Sequence, residues 1–73
     1  MTFDKIREII ADRSGEDEEN ITLDTEYTTL GIDSLTIEEI LMDIEDTFNV
    51  TVEAANAGKT VGDLVAVVEA EVN

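Results

Sequence analysis

The sequence predicts an all-α protein: a small bundle of three main helices and a short fourth one, with a long loop between the first two. Apolar residues recur at helical spacing in three segments of the 73-residue chain. The one segment with strand-like alternation has no second strand to pair with. A chain of this length holds a single domain, which we expect to span residues 1–73.

The first predicted helix ends at Ser14-Gly15, and a long connection follows it over residues 16–33. The helix has apolar positions at Phe3, Ile6, Ile9 and Ile10. The connection opens with four consecutive acids, and its apolar residues are Ile21, Leu23, Tyr27, Leu30 and Ile32. Loops this long are usually functional or disordered. The apolar anchors predict an ordered loop that is pinned to the core.

The second predicted helix begins near Asp33-Ser34 and runs to about Phe48, and the last begins with the capping-box pattern Thr60-x-x-Asp63. The core stripe of the second helix is Ile37, Ile40, Leu41, Ile44 and Phe48. The stripe of the last helix is Val61, Leu64, Val65, Val68 and Val72. Between them we expect an extended connector and then a single helical turn at residues 53–57, which is the short fourth helix.

Charge and composition exclude several classes of function. Acids outnumber Lys and Arg by 19 to 4, so nucleic acid is a poor partner and basic proteins are favoured. The chain has no histidine and no cysteine, which excludes imidazole catalysis, cysteine nucleophiles and thiolate metal sites. We therefore expect a protein that is not an enzyme and holds no metal. No apolar run is long enough to cross a membrane and no secretory signal is visible, so we expect a cytoplasmic monomer.

The second predicted helix has an exposed face that combines hydrophobic residues with acids. Leu35 and Met42 lie outside the core stripe, seven residues apart and so on one line of the helix. We call this face the docking strip, and its members are Leu35, Glu38, Glu39, Met42, Glu45 and Asp46. Carboxylates steer a basic partner and the two apolar side chains supply desolvated contacts. The alternative is that Leu35 covers the loop and Met42 fills an edge of the core.

The junction between loop and second helix, residues 30–35, is the most specific segment of the chain. Gly31 permits a tight turn, and Asp33 or Ser34 can cap the helix. Ser34 has no histidine to activate it as a nucleophile. It can still accept a group, because a hydroxyl in the first turn of a helix lies where free N–H groups favour an attached phosphate.

Leu30-Gly31-Ile32-Asp33-Ser34-Leu35 and the acidic helix after it resemble the acyl carrier protein family over nearly the whole chain. The resemblance implies a four-helix bundle in which Ser34 receives 4'-phosphopantetheine from coenzyme A. It also implies that Asp33 helps to hold the magnesium of the phosphopantetheinyl transferase that loads Ser34. The matching positions of the docking strip would contact that transferase and the acyl-chain synthesis enzymes through their basic patches.

The sequence raises three alternatives, one of which it disfavours. Thr29 stands where the family often has an acid, and Glu38 where fatty-acid carriers are frequently apolar, which leaves open a polyketide or aminoacyl (D-alanyl type) carrier beside fatty acid biosynthesis. A calcium-binding loop is disfavoured, because no glycine register places carboxylates at all of the required positions. The third alternative is an acidic interaction module in which Ser34 is unmodified.

Overall fold

The computed structural model describes residues 2–72, which form a small helical bundle of three α-helices. The helices are α1 (Thr2–Ser14), α2 (Ser34–Phe48) and α3 (Val61–Val72). Two single-turn 3-10 helices, Glu18–Asn20 and Ala54–Asn56, lie in the connections. The predicted all-α bundle is confirmed, whereas the segment predicted as a short fourth helix forms only a 3-10 turn. The two end residues of the predicted domain lie outside the described part of the chain.

One apolar core joins the three helices and the long loop. All of the large, fully buried side chains are aliphatic: Ile6, Ile10, Ile21, Ile40, Ile44, Leu64, Val61 and Val68. Helix α1 packs against both α2 and α3. Val72 departs from the predicted stripe of α3, because at 52% exposure it lies beyond the edge of this core. Within residues 2–72, no helix has the length and apolar character that a membrane span requires.

The loop between α1 and α2 is ordered by α3. Backbone bonds join Tyr27 N–H to the Lys59 carbonyl at 3.1 Å, Val61 N–H to the Thr25 carbonyl at 2.9 Å, and Gly62 N–H to the Leu23 carbonyl at 2.8 Å. We call these three bonds the loop clasp. The second and third satisfy N–H groups at the start of α3 that have no partner within the helix, and the first satisfies the N–H of Tyr27 in the loop.

The apolar residues of this loop anchor it to different extents. Ile21, Tyr27 and Ile32 are buried, as predicted, and Leu30 is half-buried. Leu23 is 48% exposed, so its predicted role as a side-chain anchor is wrong. Its contribution comes from the carbonyl, which accepts from Gly62.

The start of α3 has the predicted capping box. Thr60 N–H donates to Asp63 Oδ2 at 3.1 Å, and Asp63 N–H donates to Thr60 Oγ1 at 3.2 Å. Lys59 N–H adds a bond to the same Oδ2 at 2.9 Å. These backbone donors lower the pKa of the Asp63 carboxyl below its usual value.

Candidate functional site

The start of α2 is set by Asp33, whose backbone is extended with φ −91° and ψ 177°. Its Oδ1 accepts a hydrogen bond from the backbone N–H of Thr36 at 2.8 Å, and its carbonyl accepts from Ile37 N–H at 3.0 Å. The Thr36 bond lowers the pKa of the Asp33 carboxyl, since it stabilises the charged form. Of the two residues that the sequence offers as caps, Asp33 is the N-cap, and α2 begins at Ser34.

A tight turn carries the chain from the core to Ser34. Ile32 is buried, and its N–H donates to the Tyr27 carbonyl at 3.1 Å. Gly31 has a φ of +72°, in the left-handed region that glycine adopts without strain. Two residues after Ile32, Ser34 is the exposed first residue of a 15-residue helix.

The surroundings of Ser34 fit an attached phosphate-bearing group. The hydroxyl reaches solvent, and the N–H groups of the first helical turn give this end of α2 a partial positive charge. Helix α2 has no acid among Ser34, Leu35, Thr36 and Ile37, its own first turn. The exposed position of Ser34 is therefore compatible with its predicted role as an acceptor of a group.

The predicted docking strip lies along the solvent side of α2. Leu35 is 65% exposed and Met42 is 63% exposed, so neither packs into the loop or the core edge in the way the alternative requires. Glu38 and Asp46 are exposed, and Glu39 and Glu45 are half-buried. Glu45 Oε2 accepts a hydrogen bond from the backbone N–H of Val52 at 3.0 Å.

Sequence reasoning missed an ion pair between α1 and this helix. Arg13 donates from Nε to Asp43 Oδ2 at 2.8 Å and from Nη2 to Asp43 Oδ1 at 3.1 Å. Its Nη1 lies 3.7 Å from Glu39 Oε2. The hydrogen bonds raise the pKa of Arg13 and lower that of Asp43. The available signal was that Arg13 is basic and α2 has only acids, but spacing along the chain does not reveal which acid it meets.

An acidic surface binds a metal ion at a defined site only where several carboxylates converge. Among residues 2–72, no group of three or more Asp or Glu side chains is arranged to hold a metal ion.

Comparison with known proteins places the chain in a family. The family model described as "Phosphopantetheine attachment site" matches residues 4–68. An acyl carrier protein of Streptococcus pneumoniae serotype 4 is 45% identical over 67 residues, covering 92% of this chain and 90% of the relative. One from Lactococcus lactis subsp. cremoris (strain MG1363) is 45% identical with 92% of each chain covered, and one from Streptococcus pyogenes serotype M1 is 42% identical with 92% and 90% covered.

A small helical bundle that matches a phosphopantetheine attachment model over most of its length is a carrier domain with a covalently attached 4'-phosphopantetheine group. Its serine-bearing helix start and acidic α2 are the features on which the sequence resemblance was based. The chain belongs to the acyl carrier protein family.

Proposed function

We propose that this protein carries growing acyl chains and delivers them to fatty acid biosynthesis enzymes, with Ser34 as the attachment point. The observation that supports Ser34 is its position: an exposed hydroxyl at the first residue of α2, next to the cap Asp33 and inside the matched segment 4–68. When bound, 4'-phosphopantetheine supplies a terminal thiol that holds an acyl chain as a thioester. That accounts for a carrier without cysteine.

Asp33 has two roles in this proposal. Its side chain holds the first turn of α2 through Thr36, which fixes the backbone direction at Ser34. Its carboxyl has a lowered pKa and is exposed, so it is ionised at neutral pH and open to a metal held by a loading enzyme. The resemblance assigns it this contact with the transferase's magnesium.

The docking strip supplies recognition by basic enzymes. Leu35 and Met42 are about two-thirds exposed. Burying such a side chain completely contributes about 1.5–3 kcal/mol. Exposed ion pairs contribute about 0–1 kcal/mol each, so the acids mainly steer the partner over a Debye length of about 8 Å at physiological salt. We expect modest, salt-sensitive affinity, which suits a carrier that visits several enzymes in turn.

The oligomeric state, the cellular location and the absence of catalysis are also proposals. We propose a monomer that works in the cytoplasm and transports the acyl group without catalysing its conversion, as one domain spanning residues 1–73. Relatives named acyl carrier protein at 42–45% identity support a carrier of acyl chains over an unmodified interaction module. Light scattering coupled to gel filtration tests the monomer, and a dimer mass would contradict it.

Intact-protein mass spectrometry tests the attachment site. Incubation with coenzyme A, magnesium and a phosphopantetheinyl transferase should add one phosphopantetheine to the wild type and none to Ser34→Ala. The sequence offers a matched control, because the only other serine is Ser14. Ser14→Ala should load like the wild type. A bare wild type, or loading of Ser34→Ala, would contradict the proposal.

A further inference from the structure

The exposed face of α2 carries two rows of carboxylates. With about 3.6 residues per turn, Glu38 and Glu45 fall on one side of the line from Leu35 to Met42. On the other side, Glu39 and Asp43 form the second row, four residues apart, and the exposed Asp46 lies about one turn beyond them. We call them the Glu38–Glu45 row and the Glu39–Asp43 row.

The Glu39–Asp43 row is already occupied by a cation. Arg13 reaches across from α1 and binds both oxygens of Asp43, with Glu39 at 3.7 Å. A two-point guanidinium–carboxylate contact has a defined geometry, unlike most surface ion pairs. Because α2 itself has no Lys or Arg, the positive charge that offsets this row comes from Arg13 on the neighbouring helix α1.

The Glu38–Glu45 row takes part in none of the ion pairs that residues 2–72 form. Glu38 is exposed, and Glu45 accepts from the Val52 backbone N–H, which is a neutral donor. The row also borders a shallow groove of about 280 Å³ lined by Leu41, Met42, Val52 and Ala54 besides the two acids. Charge and apolar surface therefore lie together on this side of Met42.

We propose that Arg13 competes with the cations of a docking partner for the carboxylates of the Glu39–Asp43 row. This competition directs the partner's cations to the Glu38–Glu45 row. The partner is a protein with a basic patch beside an apolar side chain, and the inference rests on the proposed docking of such enzymes. Arg13 covers the Glu39–Asp43 row in the free protein, so a partner's Arg or Lys has to displace it there. It meets no such competitor at Glu38 and Glu45.

Loading kinetics with a phosphopantetheinyl transferase measure the competition. Arg13→Gln should lower KM about two- to five-fold at low salt, within the range of one exposed ion pair. Asp43→Asn breaks the same contact but removes a carboxylate from the face, so KM should not fall. A purely structural role for the ion pair would move both variants in the same direction.

A charge-matched control separates local competition from overall charge. The double variant Arg13→Gln/Glu71→Gln keeps the formal net charge of −15, because Glu71 is an exposed acid near the end of α3. It should retain the lowered KM. If its KM returns to the wild-type value, the effect of Arg13 is long-range charge alone and the proposal is wrong.

The two rows can be compared directly by neutralising one acid at a time. Glu38→Gln should raise KM more than Glu39→Gln in the wild-type background. In the Arg13→Gln background, Glu39→Gln should acquire an effect of similar size to that of Glu38→Gln. Equal effects of the two variants in the wild type would overturn the assignment of rows.

A binding measurement without chemistry completes the test. In an NMR titration of the apo protein with transferase in the absence of coenzyme A, amide shifts should be larger at Glu38, Met42 and Glu45 than at Glu39 and Asp43. The reverse pattern would overturn the inference. If the wild type is neither bound nor loaded, the proposed function fails and the inference fails with it. If it is loaded but Arg13→Gln has an unchanged KM, only the inference fails.

Discussion

The hydroxyl of Tyr27 ties the long loop to the segment before α3, and its removal should destabilise the whole domain. Tyr27 is 5% exposed and its Oη donates to the Ala57 carbonyl at 2.7 Å. Tyr27→Phe keeps the ring and leaves that carbonyl without its donor. An intramolecular hydrogen bond contributes about 0.5–1.5 kcal/mol, and a buried polar group left unpaired costs about 1–3 kcal/mol. We expect a loss of about 1–2 kcal/mol in the free energy of unfolding.

For a domain of this size, 1 kcal/mol corresponds to about 4–8 °C in Tm, so Tyr27→Phe should melt about 4–16 °C lower. Far-UV circular dichroism is the suitable probe, because Tyr27 is the only tyrosine and there is no tryptophan. Thr51→Val is the matched control, since it removes a hydroxyl from an exposed residue and should leave Tm nearly unchanged. A Tyr27→Phe protein that melts within about 2 °C of the wild type would refute the reasoning.

Alkaline pH gives an independent test of the burial of Tyr27. Burial raises the pKa of Tyr27 above its ordinary value of about 10, and the negative charge of Asp63 raises it further. The folded state favours the neutral phenol, so this contribution to stability is complete below about pH 10 and declines above it as the unfolded tyrosine ionises. Phenolate absorbance should therefore appear together with unfolding. Titration near pH 10 with the helices intact would contradict the burial argument.

Three further predictions concern single residues. Gly62→Ala should lower Tm, because a Cβ there would lie 2.8 Å from the Leu23 carbonyl oxygen, whereas the same change at an open helix position stabilises by about 0.5–1 kcal/mol; a raised Tm would show that the loop yields. Asp33→Asn should keep the cap and the melting temperature at neutral pH but slow loading by the transferase, whereas Asp33→Ala should both lower the melting temperature and slow loading. Because the pKa of Asp33 is lowered in the folded state, its contribution to stability persists above about pH 4 and is lost as the pH falls through the folded pKa. Met42→Ala should raise the KM for loading several-fold with little change in Tm, since Met42 is 63% exposed, and an unchanged KM would remove it from the docking strip.

Local signals predicted the helices and the start of the candidate site. Asp33 caps α2, and Thr60 with Asp63 caps α3, because these short side chains bond to backbone groups three residues away. A capping hydrogen bond within one helical turn can be predicted from the few residues that form that turn. The end of α2 shows the limit of this approach: Asn49 closes the helix in the left-handed conformation, with φ 58°, and the pattern located that end only approximately.

Contacts between distant segments could not be predicted in the same way. Arg13 meets Asp43 thirty residues away, and the pairing depends on how α1 rests against α2. Leu23 was predicted as a side-chain anchor from its hydrophobicity, but the structure uses its carbonyl. Every residue except proline has the same backbone groups, so side-chain pattern does not report where a carbonyl will bond.

The loop clasp has a consequence for how the domain opens. Its three bonds join residues 32 to 39 positions apart in sequence, so they form only after both segments have come together. Deuterium exchange of the amide protons of Tyr27, Val61 and Gly62 should accordingly give one common free energy of opening, as for a single cooperative unit. The stretch that leads to Ser34 would then owe its order to residues 59–62, and a variant that opens the clasp would loosen the serine as well.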